Sequence, residues 1–376
     1  MNAKTQSAIY HPLFYLSSLG AGGTTVAFWK LGDVTTQNTL THAGQAIFLF
    51  LATFMFLVNL PLWLKALRSQ GSFFGIPLPA SSRPSKELRD EHNPVVSTGW
   101  MAMPVSLAML LNAAFVSIPE LFGISAKAMA PAGFWIWLVT YVIVFVLGFQ
   151  ILLNTFATPT RLKEFHFGLF LQPLTYGMVA VPGVSMANMM GDSGMAQTAL
   201  LLGLAAFIVG AFIALLALVF IFLRFSTYGL PDPKVAPTTL LLMPSITVYT
   251  IFVLRLLHYI GHHGGVKIPH LIPELIALSA IGLMGAAATL GIIILAGYFK
   301  GKVAFGPSWW SFVCPFVALS VLSSITYEFT GGTTLFLISS VAALTVAISA
   351  YSYVGIKTLR TIRYRRQQKY LASVTA

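Results

Sequence analysis

The chain has 376 residues, of which 57% are hydrophobic and only 9% are charged, and its mean hydropathy is +0.81. A chain with so few charged residues cannot form the polar surface of an ordinary soluble protein. The composition therefore excludes a soluble globular protein and indicates an integral membrane protein. The single cysteine excludes a disulfide within the chain, and the net charge of +12 matters through its placement rather than its size.

Ten apolar stretches are long enough to cross the hydrocarbon core of a bilayer, which takes about 20 helical residues. In chain order they cover residues 12–31, 44–66, 97–118, 132–156, 166–190, 197–223, 236–260, 271–298, 308–328 and 334–357. The whole chain, 1–376, is therefore expected to be a single transmembrane domain. Residues 358–376 are expected to form a basic cytoplasmic tail.

The positive charges indicate how these spans are oriented. With both termini inside, 18 of the 22 Lys and Arg residues fall on the inner side, and the exceptions are Lys30, Lys127, Lys267 and Arg255. Cytoplasmic segments of membrane proteins retain positive charge. The chain is therefore predicted to be a multi-pass protein of the cell (inner) membrane with both ends cytoplasmic.

The odd-numbered spans carry a repeated interruption. Four of them contain the motifs WMAMPVS, LQPLTYG, LLLMPS and SFVCPF, whose prolines recur every 69 to 71 residues, and the first contains SSLGAGG instead. The interrupting residues are Gly20, Gly23, Pro104, Pro173, Pro244 and Pro315. This period indicates five copies of a helical hairpin. Taken singly, each proline could serve helix packing alone, but four at one depth favour a pathway.

The odd and even spans also differ in polarity. Odd spans have Pro, Gly, Ser and Thr in mid-span, whereas even spans such as residues 199–223 are apolar nearly all round. A helix that is apolar on every face suits lipid, and an interrupted helix needs protein or a water-filled cavity around its backbone. The pattern predicts an all-α fold in which five odd helices form an inner ring around a central pore.

The side chains available to line such a pore favour anions. The odd spans offer hydroxyls and amides but no ring of carboxylates, which cation pathways usually carry. Arg255 and His258 lie one turn apart on one face of the seventh span, where they could draw anions into the outer mouth. The alternative for Arg255 is an ion pair with Glu328 or Glu120, or extension to the membrane surface.

These motifs, above all PSWWSFVCPF, resemble the tellurite-resistance/dicarboxylate transporter family, which includes TehA-like bacterial proteins, fungal malate and sulfite transporters and plant slow anion channels. The resemblance covers residues 10 to 360. It implies a homotrimer in the lipid bilayer, with a five-helix anion pore in each subunit. In that family a phenylalanine directly before the Pro or Gly of the ninth helix closes the pore.

This chain departs from the family at the closing position, where it has Cys314. Phe312 and Phe316 are the nearest aromatic candidates, but each is two residues away, and helical geometry turns it about 200° from position 314. If all five inner helices turn the corresponding position towards the pore, the constriction consists of Met103, Gln172, Met243 and Cys314, with Ser17 or a neighbour. The pore is then less occluded than the family type, or it is gated by the methionines.

The predicted function is conduction of small anions, as a channel or transporter, with no cofactor, no catalytic activity and no nucleic-acid partner. The first alternative is a proton-coupled carrier of C4-dicarboxylates, or an exporter of tellurite or sulfite. A remote alternative rests on the H-x-x-x-H-H sequence of His258, His262 and His263, which is like one histidine box of the membrane di-iron enzymes. Such enzymes need several boxes, and the remaining histidines are solitary.

Overall fold

The computed structural model describes residues 12–36, 39–69, 98–157, 162–191, 193–230, 232–299 and 305–374. Within these ranges every regular element is helical. The α-helices are α1 (Leu16–Thr35), α2 (Thr39–Ser69), α3 (Ala102–Phe122), α4 (Ala126–Ala157), α5 (Leu171–Met190), α6 (Gly194–Tyr228), α7 (Leu242–His263), α8 (Leu271–Phe299), α9 (Val313–Phe329) and α10 (Thr334–Val374). The predicted all-α membrane fold is confirmed.

Among the described residues, nine of these helices are long and apolar enough to cross a membrane. The exception is α1, which has 20 residues but carries several Gly, Ser and Thr residues together with Lys30 and Asp33. Most of α1 is buried against its neighbours rather than presented to the outside. Protein contacts therefore compensate for its lower hydropathy, and its passage through the membrane stays a prediction.

A short 3₁₀ segment precedes each odd-numbered α-helix. These segments are Pro12–Tyr15, Thr98–Met101, Phe167–Phe170, Pro233–Leu241 and Pro307–Phe312. In α3, α5, α7 and α9 the repeated proline is the third residue of the α-helix. A proline has no N–H with which to extend the α pattern back towards the chain start, so the backbone before it adopts the tighter 3₁₀ geometry. The prolines thus mark where the helical geometry changes.

The odd helices contact one another in a closed ring. Helix α1 packs against α3, α3 against α5, α5 against α7, α7 against α9, and α9 returns to α1. The 3₁₀ segments make the same closed circuit, so all five inner helices begin at one end of the molecule. We call this end the 3₁₀ end.

The even helices cover the outside of this ring. Helix α2 lies on α1 and α3, α4 on α3 and α5, α8 on α7 and α9, and α10 on α9 and α1, while α6 packs mainly on α5. When the most apolar segment of each helix is considered, 22–33% of its residues are buried if the helix is even-numbered. The corresponding share is 50–94% for α3, α5, α7 and α9. The apolar even helices therefore supply the lipid-facing surface.

Two glycines show how closely the helices approach. A Cβ atom on Gly23 of α1 would lie 2.8 Å from Cγ1 of Val317 in α9. A Cβ atom on Gly210 of α6 would lie 2.2 Å from the hydroxyl oxygen of Tyr249, which donates a hydrogen bond of 2.8 Å to the carbonyl of Pro173. Small residues at helix contacts allow this approach in membrane proteins. The interrupted glycine motif of α1 is thus a packing surface against α9.

Candidate functional site

A cavity of about 80 Å³ lies inside the ring, and all five odd helices contribute to its wall. Its lining is mainly apolar. The lining residues are Leu19, Gly23, Val26, Met109, Asn112, Val116, Leu174, Met178, Val181, Pro244, Thr247, Val248, Ile251, Arg255, Cys314, Val317, Ala318 and Val321. Three of them, Asn112, Thr247 and Arg255, have polar side chains other than a thiol, and among the described residues Arg255 is the only charged one on the wall.

Helix α5 holds Arg255 in place through two side chains. The guanidinium Nη1 donates to the hydroxyl oxygen of Ser185, whose own proton is directed at the Val181 carbonyl, 2.7 Å away. The Asn188 amide donates to the backbone carbonyl of Arg255 at 3.4 Å. These contacts place the guanidinium between α5 and α7 at the wall of the cavity. Of the five N–H donors of an arginine, Ser185 accepts one.

No carboxylate in the described part of the chain lies within ion-pair distance of Arg255. Glu328, one of the two proposed partners, is 2.6 Å from Lys30 Nζ, which also contacts Asp33 at 2.7 Å. Glu120, the other, accepts a hydrogen bond of 3.0 Å from Gln45. A cation at membrane depth is costly unless it is paired or reaches water. An anion in the cavity would supply the missing countercharge.

The other two polar side chains on the wall hold neighbouring inner helices together. Asn112 of α3 donates to the Ala108 carbonyl at 3.0 Å and to the Met178 carbonyl of α5 at 3.3 Å. Thr247 of α7 donates to the Ala318 carbonyl of α9 at 3.3 Å. Their protons are therefore used in bonds to backbone carbonyls, one of them within α3 and two on neighbouring helices. This leaves the Arg255 guanidinium as the main donor available to a molecule in the cavity.

The family model described as voltage-dependent anion channel, SLAC1, matches residues 10–359. This chain belongs to the SLAC1 family. Members of the family are channels or transporters of anions rather than enzymes, and this agrees with a cavity whose only charge is positive. The resemblance to the tellurite-resistance/dicarboxylate family is thereby confirmed. No individual protein with a curated description matches the chain.

Of the residues predicted to form the constriction of this SLAC1-family chain, only Cys314 lies on the cavity wall, where it is 6% exposed. Met103, Gln172 and Met243 are less than 5% exposed and lie off the lining. Gln172 turns outward and donates to the Gly148 carbonyl of α4 at 3.0 Å. A constriction formed by this set therefore stays a prediction. At the level of this cavity, the four side chains do not all face the centre of the ring.

The two phenylalanines near Cys314 also lie off the lining. Phe312 packs edge-on against Trp309, with ring centroids 5.5 Å apart, and contacts the cluster that contains Met243. Phe316 is partly buried against the main core. Both positions follow from the rotation of about 200° that separates residues two apart on a helix.

The predicted interruptions divide between the cavity and the helix contacts. Gly23 and Pro244 line the cavity. Gly20 faces α9, because a Cβ atom there would lie 3.0 Å from Cγ1 of Val313. Pro104, Pro173 and Pro315 occupy the third α position of their helices, off the lining.

The histidines at the end of α7 lie away from the cavity wall. His258 is exposed, and its ring stacks against that of His262 with centroids 6.2 Å apart. Attraction of anions by His258 stays a prediction. Within the described residues there is no group of three or more His, Cys, Asp or Glu side chains that could hold a metal ion, so the histidine-box alternative has no support there.

Three residues of the site are absent from the sequence-based prediction, namely Asn112, Ser185 and Asn188. Each lies in the second half of an odd span, 8 to 15 residues after the repeated proline. Polar side chains in that half of the odd spans were a usable signal, because a polar group at membrane depth usually faces protein or a cavity. Their partners on neighbouring helices could not be read from one span alone.

Proposed function

We propose that small inorganic anions cross the membrane through the central cavity of each subunit, and that Arg255 attracts and holds them there. The observation that carries this proposal is the position of Arg255, which is the one charged residue of a wall built by all five inner helices and has no carboxylate partner among the described residues. Basic groups and polar donors are the usual lining of anion pathways.

The charge of the cavity favours a small monovalent anion over a C4-dicarboxylate. A volume of about 80 Å³ accommodates several water-sized groups, so a small anion fits. A dicarboxylate would bring two negative charges to a wall that carries one positive charge. The second charge would then lose its hydration without a partner, which is unfavourable at membrane depth.

Anion flux into liposomes tests the proposal directly. Purified protein is reconstituted into vesicles, and uptake of chloride, nitrate, sulfite and malate is compared under an imposed membrane potential. We expect potential-driven uptake of the monovalent anions and little uptake of malate. Uptake of malate alone, together with acidification of the vesicle lumen, would support the proton-coupled carrier instead. Vesicles that take up none of these anions would contradict both forms of the proposal.

Three further parts of the proposal rest on the sequence. The chain is expected to form a homotrimer, to lie in the inner membrane, and to have both termini in the cytoplasm, because that topology places 18 of 22 basic residues inside. Single cysteines introduced near each terminus of a Cys314→Ser background would report their side by labelling in intact cells. The mass of the detergent-solubilised complex would report the number of subunits.

The departure at Cys314 also belongs to the proposal. This residue lies on the cavity wall at the position where the resemblance implies a closing phenylalanine. A thiol side chain fills much less volume than an aromatic ring. We therefore expect basal anion flux without a removable aromatic plug, so that Cys314→Phe lowers the flux while Cys314→Ser retains it.

A further inference from the structure

The exposed end of α7 carries two imidazoles that face the same direction. His258 and His262 are four residues apart, which places them on one face of the helix. Their rings lie with centroids 6.2 Å apart and planes 25° apart, and both residues are exposed. Within the described part of the chain, neither imidazole has a hydrogen-bond partner. Two nearly parallel rings are therefore open to a shared ligand.

We propose that His258 and His262 bind one divalent transition-metal ion between them. Neutral imidazole nitrogen is a common metal ligand, with metal–nitrogen bonds of about 2.0–2.1 Å for zinc. Because the lone pair of an imidazole nitrogen lies in the plane of its ring, the ion would sit at the shared edge of the two rings, which exposed side chains reach by rotation about their χ angles. Two histidines at i and i+4 on a helix are a recurrent zinc-binding arrangement. The helix already holds both ligands together, so little ordering is needed.

The electrostatic surroundings include one favourable and two unfavourable contributions. Helix α7 ends at His263, and the carbonyls of a helix C-terminus carry a partial negative charge that favours a cation. Arg255, one turn earlier, and Lys267, in the exposed loop that follows, are positive and oppose the ion. Both imidazoles lie in the last two turns of the helix, where its C-terminal carbonyls act most strongly. Ligand chemistry therefore decides whether the ion binds.

The ligand set selects the class of metal. Nitrogen ligands suit copper, nickel and zinc, whereas calcium and magnesium need oxygen ligands. With two protein ligands and water completing the coordination, affinity should follow the order in which copper(II) exceeds nickel(II) and zinc(II). The site is thus distinct from a di-iron histidine box, since no larger cluster of candidate ligands exists in the described residues.

His263 provides a matched control on the same helical turn. Its ring packs on that of Tyr259 with centroids 4.7 Å apart and meets the His262 ring edge-on at 4.8 Å, so it contacts His262 without belonging to the nearly parallel pair. Replacing it removes one histidine without removing either proposed ligand. The chain thus offers variants that differ only in which imidazole is missing.

Calorimetric titration of the purified full-length protein, free of any histidine tag, tests this inference. Nickel chloride or zinc chloride is titrated into the protein, and magnesium chloride is titrated in a parallel run as the reference salt. Size-exclusion profiles check that each variant is folded. We expect one nickel or zinc ion per chain for the wild type and for His263→Ala, and loss of this binding in His258→Ala and His262→Ala. No saturable nickel binding by the wild type would overturn the proposal. Binding retained by either ligand variant, or lost in His263→Ala, would overturn the two-histidine assignment. The measurement does not depend on transport, so it can fail while the proposed function stands.

Discussion

Replacing Arg255 by glutamine removes the one charge that the described residues place on the cavity wall, and it keeps a polar side chain that can still contact Ser185. A hydrogen bond to a charged group contributes about 1.5–3 kcal/mol. Coulomb's law gives a similar size, about 3 kcal/mol for unit charges about 5 Å apart at an effective dielectric constant of about 20. At about 1.4 kcal/mol per factor of ten, the variant should bind anions about ten- to a hundredfold more weakly.

Chloride efflux from proteoliposomes, measured over a range of chloride concentrations, reports this change as a shift in the half-saturating concentration. Arg255→Lys keeps the positive charge but loses the planar fork of donors, so it should fall between the glutamine variant and the wild type. Lys267→Gln removes a cation from the exposed loop and serves as the matched control. This control should leave the half-saturating concentration close to that of the wild type.

Stability separates a specific effect on transport from a folding defect. A charge at the centre of the membrane costs about 2.5–3.5 kcal/mol on insertion scales. Removing an unpaired one should therefore raise, not lower, the thermal stability of the Arg255→Gln protein in buffers with little permeant anion. The reasoning would be refuted if Arg255→Gln kept both the half-saturating chloride concentration of the wild type and its preference for anions over cations.

Three further changes test the cavity wall, the helix packing and a partly buried histidine. A bulky thiol reagent on Cys314, the one cysteine of the chain, should block flux because the adduct occupies the cavity that this side chain lines. Cys314→Ser should not respond to the reagent. Full labelling with unchanged flux would remove Cys314 from the pathway. Gly210→Ala should lower the melting temperature, because its Cβ would lie 2.2 Å from the Tyr249 hydroxyl oxygen. The hydrogen bond of that hydroxyl to the Pro173 carbonyl limits how far it can move. An unchanged melting temperature would mean that the helices can separate without cost. Burial, assisted by the charge of Arg224, lowers the pKa of His166 from 6.5 to about 4, so the folded state binds fewer protons than the unfolded state. The stability that neutral His166 contributes is therefore full above about pH 6.5 and falls as the pH drops towards 4. The variant His166→Asn, which can still accept a backbone N–H, should flatten this part of a melting-temperature profile against pH.

The helical hairpins could be predicted from sequence because their signals are local. A proline such as Pro104 stops the α pattern wherever it occurs, and an apolar helix such as α6 faces lipid whatever its neighbours are. The contrast between odd and even spans was therefore enough to predict which helices form the inner ring. Helix α1 is the weakest case, since its Gly-rich segment becomes favourable only through its contacts with α9.

The direction in which each inner helix faces the cavity could not be predicted in the same way. One residue turns a helix by about 100°, so a difference of two positions moves a side chain to nearly the opposite face. Cys314, the second residue of α9, lines the cavity, whereas in α1 and α5 the first lining residues are the fourth ones, Leu19 and Leu174. A strict five-fold phase, which led to the predicted constriction, does not hold at this level.

The contrast between two cations of the inner helices supports the proposed role of Arg255. Lys30 is the fifteenth residue of α1 and Arg255 the fourteenth of α7, so they lie at similar depths from the 3₁₀ end of the ring. Lys30 contacts two carboxylates, of Asp33 and Glu328, and lies off the cavity wall. That group has no net positive charge to attract an anion, and its bonds tie α1 to α9. Arg255 is held by the neutral hydroxyl of Ser185, so its charge stays uncompensated on the wall. Pairing joins the helices at Lys30, whereas at Arg255 the described residues leave the positive charge free for the anion that we propose to pass through the cavity.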